Sequence, residues 1–578
     1  MTQFQVIVLA TPVFLMLIAL EYAWGRRRER LGTGRNTYQL NDSLASISLG
    51  VLSQLGGVFS KLLSVGIYGL VFQAVALAPA TDFWGTWYGV LLALVFYDFC
   101  YYWLHRAGHR SAVFWAAHVV HHQSQHYNLS TALRQTGSGV LLSWIFYLPM
   151  AVAGVPPLIF GIVALVDLLY QFWVHTEQVG KLGWFDRVFC SPSNHRVHHA
   201  VNDTYVDKNY GGILVLWDRC FGTFEQEKER CVYGTRSPLD SLDPLWANLE
   251  VYADLLQTSW RARRWRDKFA VWLKPPGWQP ADVAARFPKP AFDLSQLRPF
   301  EPVTRPAVQW FCSLQFVALL GGVAAVLWFA ERWPLHQTLV LSLALTSAYW
   351  AIGAALQGRI GMLFVLTIES AALSTVSSAL EWPWLHLVFK PLTLLLAIGW
   401  VAARGRTHAQ TRRSRALLLC ALAACLAGDV LLMLPGDHFI AGLACFLVAH
   451  VFFLVMFGQG LPWLPSRPAL LGTLGSAAAV YAWLLPGLDG PLLQLAVVVY
   501  GLAIALMAAQ ALGRAQVLAD AHARLAALGA CLFMLSDGLL AIDRFVQPLP
   551  LAPFWVLASY YLAQLLMIHN AAAGVADG

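Results

Sequence analysis

Apolar runs that recur along this chain constrain its fold more than any other feature. The runs are about 18 to 22 residues long, and a helix of about 20 apolar residues spans the hydrocarbon core of a bilayer. Of the 578 residues, 58% are hydrophobic and only 12% are charged. Because each segment in lipid must satisfy its own backbone polar groups, the runs predict an all-α, polytopic integral membrane protein and exclude a water-soluble one.

The first apolar run, residues 4–24, is followed by the basic segment GRRRER. It is too long for the core of a signal peptide, and no small-residue cleavage site follows it, so we expect a retained membrane anchor. The bias of Lys and Arg toward the cytoplasm places residues 26–35 on the inner side. The formal charge of +7 fits basic inner loops that face anionic lipid and requires no nucleic acid partner.

The nine cysteines are scattered, without the paired spacing of a metal site or a redox motif. Several of them fall inside apolar runs, and we interpret these as small core residues rather than as disulfides or metal ligands. These cysteines include Cys420, Cys425, Cys445 and Cys531.

Composition divides the chain into three parts. Residues 1–225 carry apolar runs interrupted by histidine-rich polar segments. Residues 226–306 are polar, rich in arginine and punctuated by proline, which is typical of a cytoplasmic segment or linker. In residues 307–578, ten apolar runs recur roughly every 25 residues, which predicts a second membrane domain of many helices. Four passes from the linker return the chain to the inner side at the basic loop RGRTHAQTRRSR.

Histidines are concentrated in one part of the chain, since ten of the seventeen lie between residues 105 and 199. Eight of these ten form three groups, in the segments HRAGH, HVVHH and HRVHH. Spacings of three and four residues place side chains on one face of a helix, so each group can direct its imidazoles to one point. The groups are His105 and His109; His118, His121 and His122; and His195, His198 and His199.

Titratable groups beside the ends of membrane spans are unfavourable in free energy, so a cluster of eight histidines needs an interaction that compensates for this. Binding of a metal ion provides it. One zinc ion takes about four ligands, so the eight histidines predict two metal ions. Imidazole suits iron, zinc and copper alike. Two irons would allow activation of O₂ and attack on an unactivated C–H bond, whereas two zincs would favour hydrolysis, and the spacing does not separate them.

The three histidine groups, with YDFCYYWLHR before them and DKNYGGILVLWDRCFGTFE after them, resemble the fatty acid hydroxylase/sterol desaturase superfamily of membrane di-iron enzymes. The resemblance covers about residues 85–225. Within it, HYNLSTALRQ, FWVHTE and SPSNHRVHHAVNDTYVDKNYGGILVLWDRCFGTF are similar to the alkylglycerol monooxygenases, which hydroxylate the carbon next to the ether oxygen of glyceryl ethers. The resemblance implies two iron ions, O₂, a membrane-lipid substrate and an electron donor.

The resemblance also implies roles for individual residues. The eight grouped histidines are the implied iron ligands, and His175 of FWVHTE is a ninth ligand or a neighbour of the ligands. Four further residues lie inside the matched motifs and either support the imidazoles or cap loops and pack helices. They are Asp98, Asn194 and two candidate catalytic residues, Glu177 and Tyr210.

Two positions near the histidine groups depart from the family pattern or lie outside it. Arg110 follows His109 where the alkylglycerol monooxygenases have an acidic residue. The electron donor is therefore left open, with tetrahydrobiopterin as one candidate and a different donor as the alternative. His126 belongs to HHQSQHYN but lies at no ligand position of the family.

We expect the histidine cluster on the cytoplasmic face of the membrane.

The second membrane domain contains a sparser set of polar residues inside its apolar runs. A carboxylate in a membrane span is costly and by default marks a site. On the predicted topology, Lys390, Asp429 and Asp537 lie within about two helical turns of one face, and His450 lies deeper. Two carboxylates at one depth could act as general acid and general base, whereas a Lys–Asp pair could instead lock helices together. The set also includes Tyr561 and Gln564.

The segments KPLT, GD, GLACFLVAH, LGACLFMLSDGLLAIDRF and YYLAQ resemble the YhhN/TMEM86 family of lysoplasmalogenases, over about residues 340–570. This resemblance implies hydrolysis of the vinyl ether bond of lysoplasmalogens with release of an aldehyde. We expect Asp429 and Asp537 to be the acid–base pair, with Lys390 and His450 lining the side of the site that holds the head group.

Two modules that both cleave ether bonds of glycerolipids predict one bifunctional, ether-lipid-degrading membrane enzyme, in which a di-iron monooxygenase is fused to a lysoplasmalogenase-like hydrolase. One alternative keeps the di-iron chemistry but changes the substrate to a sterol, a carotenoid or an acyl chain, because the ligands bind iron rather than lipid. Another alternative makes the C-terminal half a non-catalytic module for lipid binding or transport.

Overall fold

The computed structural model describes residues 2–61, 66–77, 82–403 and 412–570. Within these ranges the regular secondary structure is helical, apart from two isolated antiparallel β-bridges, Phe189–Leu214 and Ala200–Tyr233. Among the same residues, 12 helices are long and apolar enough to cross a membrane. The predicted all-α, multi-pass membrane class is therefore confirmed. Part of the basic loop predicted at the inner face, residues 404–411, lies outside the described residues.

The chain forms two compact units. The first comprises Met1–Pro334 with Ile352–Arg359, and the second comprises Leu335–Ala351 with Ile360–Gly578. The polar stretch 226–306 lies in the same compact unit as the histidine groups and contains three helices of its own. A division of function at residues 225 and 306 stays a prediction.

Fifteen helices precede residue 300 in the described part of the chain. They are α1 (Gln3–Arg30), α2 (Leu40–Lys61), α3 (Ile67–Val75), α4 (Trp87–Arg110), α5 (Ala112–Ala116), α6 (Val119–His122), α7 (Leu129–Ala132), α8 (Val140–Val152), α9 (Pro157–Trp173), α10 (Phe185–Val188), α11 (Pro192–His199), α12 (Leu216–Cys220), α13 (Pro244–Arg261), α14 (Trp265–Leu273) and α15 (Ala281–Ala284). Short 3₁₀ turns lie at Asp82–Gly85, Leu294–Gln296 and, in the second unit, Leu485–Gly487.

Each of the ten apolar runs predicted after residue 307 is a helix. They are α16 (Pro306–Phe329), α17 (Leu335–Leu356), α18 (Met362–Ala379), α19 (Pro383–Ala403), α20 (Arg412–Met433), α21 (Phe439–Phe457), α22 (Arg467–Leu484), α23 (Pro491–Leu518), α24 (Ala521–Phe545) and α25 (Ala552–Asn570). All but α25 are candidate spans. Polar side chains of α25, including Tyr560 and Gln564, lower its hydropathy.

Helix α4 positions the first histidine group. The Thr86 side chain caps its start by accepting a hydrogen bond from the N–H of Gly89 at 3.1 Å. Its apolar part packs with α3, α8 and α9 around a buried cluster in which Tyr97 stacks on Tyr147, with ring centroids 4.6 Å apart. Helices α8 and α9 have 13 and 17 residues, fewer than the ~20 of a full span. The last turns of α4 extend beyond this apolar cluster and carry His105 and His109.

Candidate functional site

Nine histidines of the first unit converge in two groups. Within each group, every histidine contributes one ring nitrogen, and these nitrogens all lie within 4.8 Å of one another. The larger group comprises His105, His109, His118, His122 and His198. The smaller group comprises His121, His175, His195 and His199. The structure thus brings together all eight predicted ligands, and it places His175 among them.

The two groups do not follow the three sequence motifs. His121 and His122 are neighbours in the chain but belong to different groups, and so do His198 and His199. Successive residues of an α-helix point about 100° apart, because one turn takes 3.6 residues. Helices α6 and α11 therefore each supply ligands to both groups.

Backbone carbonyl groups fix the tautomer of four of these histidines. In each, Nδ1 lies at hydrogen-bond distance from a carbonyl oxygen, which can only accept, so Nδ1 carries the proton and Nε2 keeps a lone pair. The pairs are His105 with Tyr210 (2.8 Å), His121 with Arg134 (3.0 Å), His175 with Gln171 (2.7 Å) and His198 with Lys208 (3.1 Å). This arrangement orients metal-ligating histidines in many proteins.

The Nε2 atoms of the smaller group approach one another closely. Nε2 of His175 lies 3.1 Å from that of His121 and 3.0 Å from that of His195. Since His121 and His175 both carry their proton on Nδ1, the two facing nitrogens present lone pairs, and they repel unless a cation binds there. In the larger group, Nε2 of His198 is buried without a hydrogen-bond partner among the described residues. The donor sets therefore fit metal ions.

The protonation of these histidines also fits metal binding. Burial lowers the pKa of His121 to about 4. Burial likewise lowers the pKa values of His195 and His199 well below the usual range of histidine. These imidazoles are neutral at physiological pH, which is the form that binds a metal.

Asp98 of α4 anchors the loop that follows the third histidine group. Its buried carboxylate accepts hydrogen bonds from the N–H groups of Ile213 (2.7 Å) and Leu214 (3.0 Å) and from the indole of Trp217 (2.8 Å). The same loop contains the carbonyl groups of Tyr210 and Lys208, which orient the imidazoles of His105 and His198. Asp98 lies outside both histidine groups, so its contribution to the centre passes through the loop.

Tyr210 connects the same loop to the larger group. Its N–H donates to the buried carboxylate of Asp218 at 2.7 Å, and its carbonyl oxygen accepts from His105. The centroid of its ring lies 5.4 Å from that of His109. Its hydroxyl is buried without a hydrogen-bond partner in the described part of the chain, and burial raises its pKa, so the phenol stays protonated. The catalytic role of Tyr210 stays a prediction.

Three other residues named from the sequence lie outside both groups. Glu177 forms a two-point ion pair with Arg35, whose Nε and Nη2 lie 2.9 and 2.6 Å from its carboxylate oxygens. The Asn194 side chain donates to nearby backbone carbonyls and so packs a loop. His126 pairs with Glu301 at 3.3 Å. The catalytic role expected of Glu177 stays a prediction.

Glu21 of α1 is a buried carboxylate that the sequence reasoning missed. It accepts a hydrogen bond from the N–H of Leu129 at 2.8 Å and further ones from the hydroxyls of Tyr38 and Thr176. Glu21 thereby ties the segment HYNLSTALRQ to the turn that carries His175. A carboxylate inside the first apolar run was the available signal, because such groups mark sites by default.

The second unit contains a separate cavity of about 130 Å³. Its wall is mostly apolar and is formed by helices α19, α20, α21, α23, α24 and α25. Both predicted aspartates and the predicted lysine line it, together with two tyrosines. These polar lining residues are Lys390, Asp429, Tyr500, Asp537 and Tyr560. Placing two carboxylates on one cavity in a membrane domain is costly unless each has polar partners.

The two aspartates have different partners. One oxygen of Asp429 lies 3.3 Å from Nζ of Lys390, and the other accepts a hydrogen bond from Tyr560 at 2.9 Å. Asp537 instead accepts a hydrogen bond from Tyr500 and lies 3.3 Å from Nε2 of His450. An ammonium group therefore neutralises one carboxylate, and a phenol and an imidazole contact the other.

The polar residues of the second unit differ from the expectation in their placement. His450 is fully buried behind the cavity wall, with Nε2 2.9 Å from the hydroxyl of Tyr500. Tyr500 and Tyr560, which line the cavity, were missed by the sequence reasoning. Tyr561 bonds to Ser374 at 2.8 Å instead of lining the cavity. The available signal for Tyr500 was a single phenol within the apolar run VVVYGLAIAL.

Comparison with known proteins assigns the two sites to two families. The fatty acid hydroxylase family model matches residues 90–223, and the YhhN family model matches residues 385–571. No solved structure matches the chain at a significant level. The histidine groups and the cavity residues lie inside the two matched ranges.

Curated relatives match the same two parts. Human alkylglycerol monooxygenase is 40% identical over 344 residues, which cover 57% of this chain and 73% of that protein. The alkylglycerol monooxygenase of Danio rerio is 38% identical over 323 residues, covering 54% and 68%. Lysoplasmalogenase TMEM86B of Rattus norvegicus is 36% identical over 191 residues, covering 32% and 73%. The chain therefore belongs to the alkylglycerol monooxygenase family in its N-terminal part and to the TMEM86B lysoplasmalogenase family in its C-terminal part.

Proposed function

We propose that this chain is a bifunctional enzyme of ether-lipid degradation. The first unit acts as an iron-dependent monooxygenase on glyceryl ethers, and the second unit hydrolyses the vinyl ether bond of lysoplasmalogens. The observation that carries the first activity is the convergence of nine imidazoles in two groups, four of them with Nδ1 held by a backbone carbonyl so that Nε2 keeps its lone pair. The similarity to alkylglycerol monooxygenases supports the substrate class.

Each histidine group would hold one iron ion. When bound, the two irons supply activation of O₂ and hydroxylation of the carbon next to the ether oxygen, and the hydroxylated product breaks down to a glycerol lipid and a fatty aldehyde. The carbonyl groups of Tyr210 and Lys208 orient His105 and His198 for ligation. The Tyr210 phenol, buried beside the larger group, is placed to donate a hydrogen bond into the space next to it.

The monooxygenase reaction also needs two electrons, and tetrahydrobiopterin is the first donor to test. Arg110, which differs from the family pattern, is half exposed and its guanidinium lies 2.8 Å from Asp207. Purified protein should consume O₂ with a glyceryl ether when the pterin is supplied. If it responds only to a flavin- or ferredoxin-type donor, the pterin is excluded.

We place the histidine groups on the cytoplasmic side, because the basic segment at the end of α1, residues 26–30, belongs there. Cys220 of α12 is exposed and lies close in sequence to the third group, so it reports on that side. In a Cys420→Ser background, a membrane-impermeant maleimide should label Cys220 in lysed cells and leave it unlabelled in intact cells. Labelling in intact cells would reverse the orientation.

The observation that carries the second activity is that Asp429 and Asp537 line one cavity with different partners. Hydration of a vinyl ether starts with protonation of the alkene carbon and continues with attack of water on the resulting oxocarbenium carbon. We assign the proton donor to Asp537, which, among the described residues, forms no ion pair with a lysine or arginine and instead contacts His450 and Tyr500. Asp429, paired with Lys390, accepts the proton of the attacking water. The hemiacetal then releases the aldehyde.

Lipid analysis of membranes that contain the chain tests both activities together. Alkylglycerols and lysoplasmalogens should fall in cells that express the chain, and fatty aldehydes should rise. His198→Ala should restore only the alkylglycerols, and Asp537→Asn should restore only the lysoplasmalogens. Unchanged ether lipids with altered sterols or acyl chains would point to another di-iron substrate. Lysoplasmalogen binding without aldehyde release would make the second unit a lipid-binding module.

A further inference from the structure

Helix α13 is apolar on two opposite faces. One face packs inside the first unit, where Ala247, Leu255 and Thr258 are buried. Ala247 lies in one cluster with Val120 of α6, the helix that carries His121 and His122. The other face carries large apolar side chains that are exposed to different degrees. They are Leu245 (40%), Leu249 (56%), Leu256 (62%) and Trp260 (84%).

Helix α14 likewise has one buried and one exposed apolar face. Its Val271 is buried in a cluster with Leu255 of α13, so the two helices pack against each other. Trp265, Phe269 and Leu273 are spaced four residues apart and therefore share one face. All three are exposed. A contiguous apolar surface that faces water is rare on soluble monomers and marks an interaction site.

Basic side chains surround the junction of the two helices, in the segment WRARRWRDK. In the part of the chain that the structure describes, none of them forms a salt bridge with a carboxylate. Aromatic residues mixed with arginine and lysine are typical of segments at the membrane–water interface, where cations meet lipid phosphates. The basic residues are Arg261, Arg263, Arg264, Arg266 and Lys268.

We propose that α13 and α14 lie in the headgroup layer of the bilayer that holds the chain. Their exposed apolar side chains enter the acyl boundary, and the arginines bind the phosphates of anionic lipids. Neither helix is a candidate span, since α13 is too polar and α14, with nine residues, is too short. Charge complementarity selects the anionic lipid surface as the occupant. This surface is independent of the proposed enzymatic activities.

Fluorescence quenching in nanodiscs with one full-length chain per disc tests the proposal. A bimane label is placed at Trp260→Cys or Phe269→Cys, and at Ala291→Cys as an exposed control in the same polar stretch. The exposed native residues Cys220 and Cys420 are replaced by serine, and this background without a new cysteine gives the baseline. Doxyl-labelled lipid quenches labels in the bilayer, and iodide quenches labels in water.

At positions 260 and 269 we expect at least about twofold stronger quenching by the doxyl lipid than by iodide, and the reverse at position 291. Stronger quenching by iodide at 260 and 269 would overturn the proposal. Protection from both quenchers would also overturn it, because a protein surface would then cover the helices. One chain per disc removes a second copy as the source of such protection.

The charge contribution is tested with the same labels. Doxyl quenching at position 260 should be stronger in discs that contain an anionic lipid than in purely zwitterionic discs. The triple variant Arg263→Gln, Arg264→Gln, Arg266→Gln should remove this difference. If the triple variant keeps the difference, the arginines do not bind the anionic lipid and the proposed lipid class is wrong.

Discussion

Nε2 of His121 lies 3.1 Å from Nε2 of His175, although the two residues are 54 positions apart in the chain. Nδ1 of each ring donates to a backbone carbonyl, so both of the facing nitrogens carry lone pairs. Two nitrogens with facing lone pairs repel each other unless a cation binds between them. This relationship is the most direct structural argument for a metal ion in the smaller group.

Metal analysis is the first test. Elemental analysis of the purified protein should give about two irons per chain, because imidazole groups of five and four are each sufficient for one ion. His121→Ala should lower the iron content by removing a ligand of the smaller group. His126→Ala, which changes a histidine outside both groups, is the matched control and should leave the content unchanged. Two zincs and no iron would contradict the monooxygenase assignment.

The two activities should be separable by mutation, because the two sites lie in different compact units. His198→Ala should abolish O₂-dependent cleavage of a glyceryl ether and leave vinyl ether hydrolysis at the wild-type rate. Asp537→Asn should have the opposite effect. Aldehyde release from each substrate, measured on one preparation in detergent, checks both statements. Loss of both activities in either variant would indicate one composite site.

Removing either aspartate of the cavity should stop the hydrolase. Asp429→Asn and Asp537→Asn should each lower lysoplasmalogen hydrolysis by at least about 100-fold, since loss of a general acid or base typically costs that much. Asparagine keeps the shape and removes a buried charge, so membrane insertion should persist. The rate is measured per folded molecule. If a folded variant keeps near-normal turnover, that aspartate only locks helices together.

Tyr500 should matter for the hydrolase, whereas Tyr561 should not. Tyr500→Phe removes the hydrogen bond that orients the Asp537 carboxyl group and should lower turnover by at least about tenfold, which corresponds to the free energy of one hydrogen bond. Tyr561→Phe is the matched control, because its hydroxyl bonds to Ser374 outside the cavity wall. Equal rates in the two variants would remove Tyr500 from the site.

Glu21 should stabilise the first unit and position His175. Glu21→Ala leaves a buried N–H and two hydroxyls without their acceptor, at a cost of about 1–3 kcal/mol for each unsatisfied group. We expect a lower thermal midpoint and an altered electronic spectrum of the iron-loaded protein. Glu29→Ala, which changes an exposed carboxylate on the same helix, should alter neither. An unchanged spectrum in Glu21→Ala would limit Glu21 to a structural role.

The sequence predicts the helices well and identifies the histidines that converge in the structure, for physical reasons. Apolar runs of span length are local, so the ten helices after residue 307 follow from hydropathy alone. Histidine spacing within one helix is local as well, so the three motifs can be recognised in the sequence, and the structure places all eight of their histidines in the two groups.

Two features of the sites depend on tertiary packing rather than on the local sequence. They are the division of the histidines between the two groups and the hydrogen-bond partners of the site residues. Which group His175 joins depends on the packing of the turn after α9 against α6 and α11. Tyr500 contacts Asp537 only because α23 and α24 pack side by side. The spacing of the two residues along the chain does not predict this contact. The exposed apolar face of α13 is likewise a tertiary feature, because only the packing of the fold decides which of its two apolar faces is buried.

The neighbouring pairs His121–His122 and His198–His199 each contribute one histidine to each group, so they would give two bound metal ions a common support. Adjacent Cα atoms are about 3.8 Å apart across one rigid peptide unit, so a ligand of one ion cannot move without moving a ligand of the other. Binding of a first ion should therefore order the ligands of the second position, and loss of one ion should loosen both. The two ions should be acquired and released cooperatively, which makes a stable half-loaded state unfavourable.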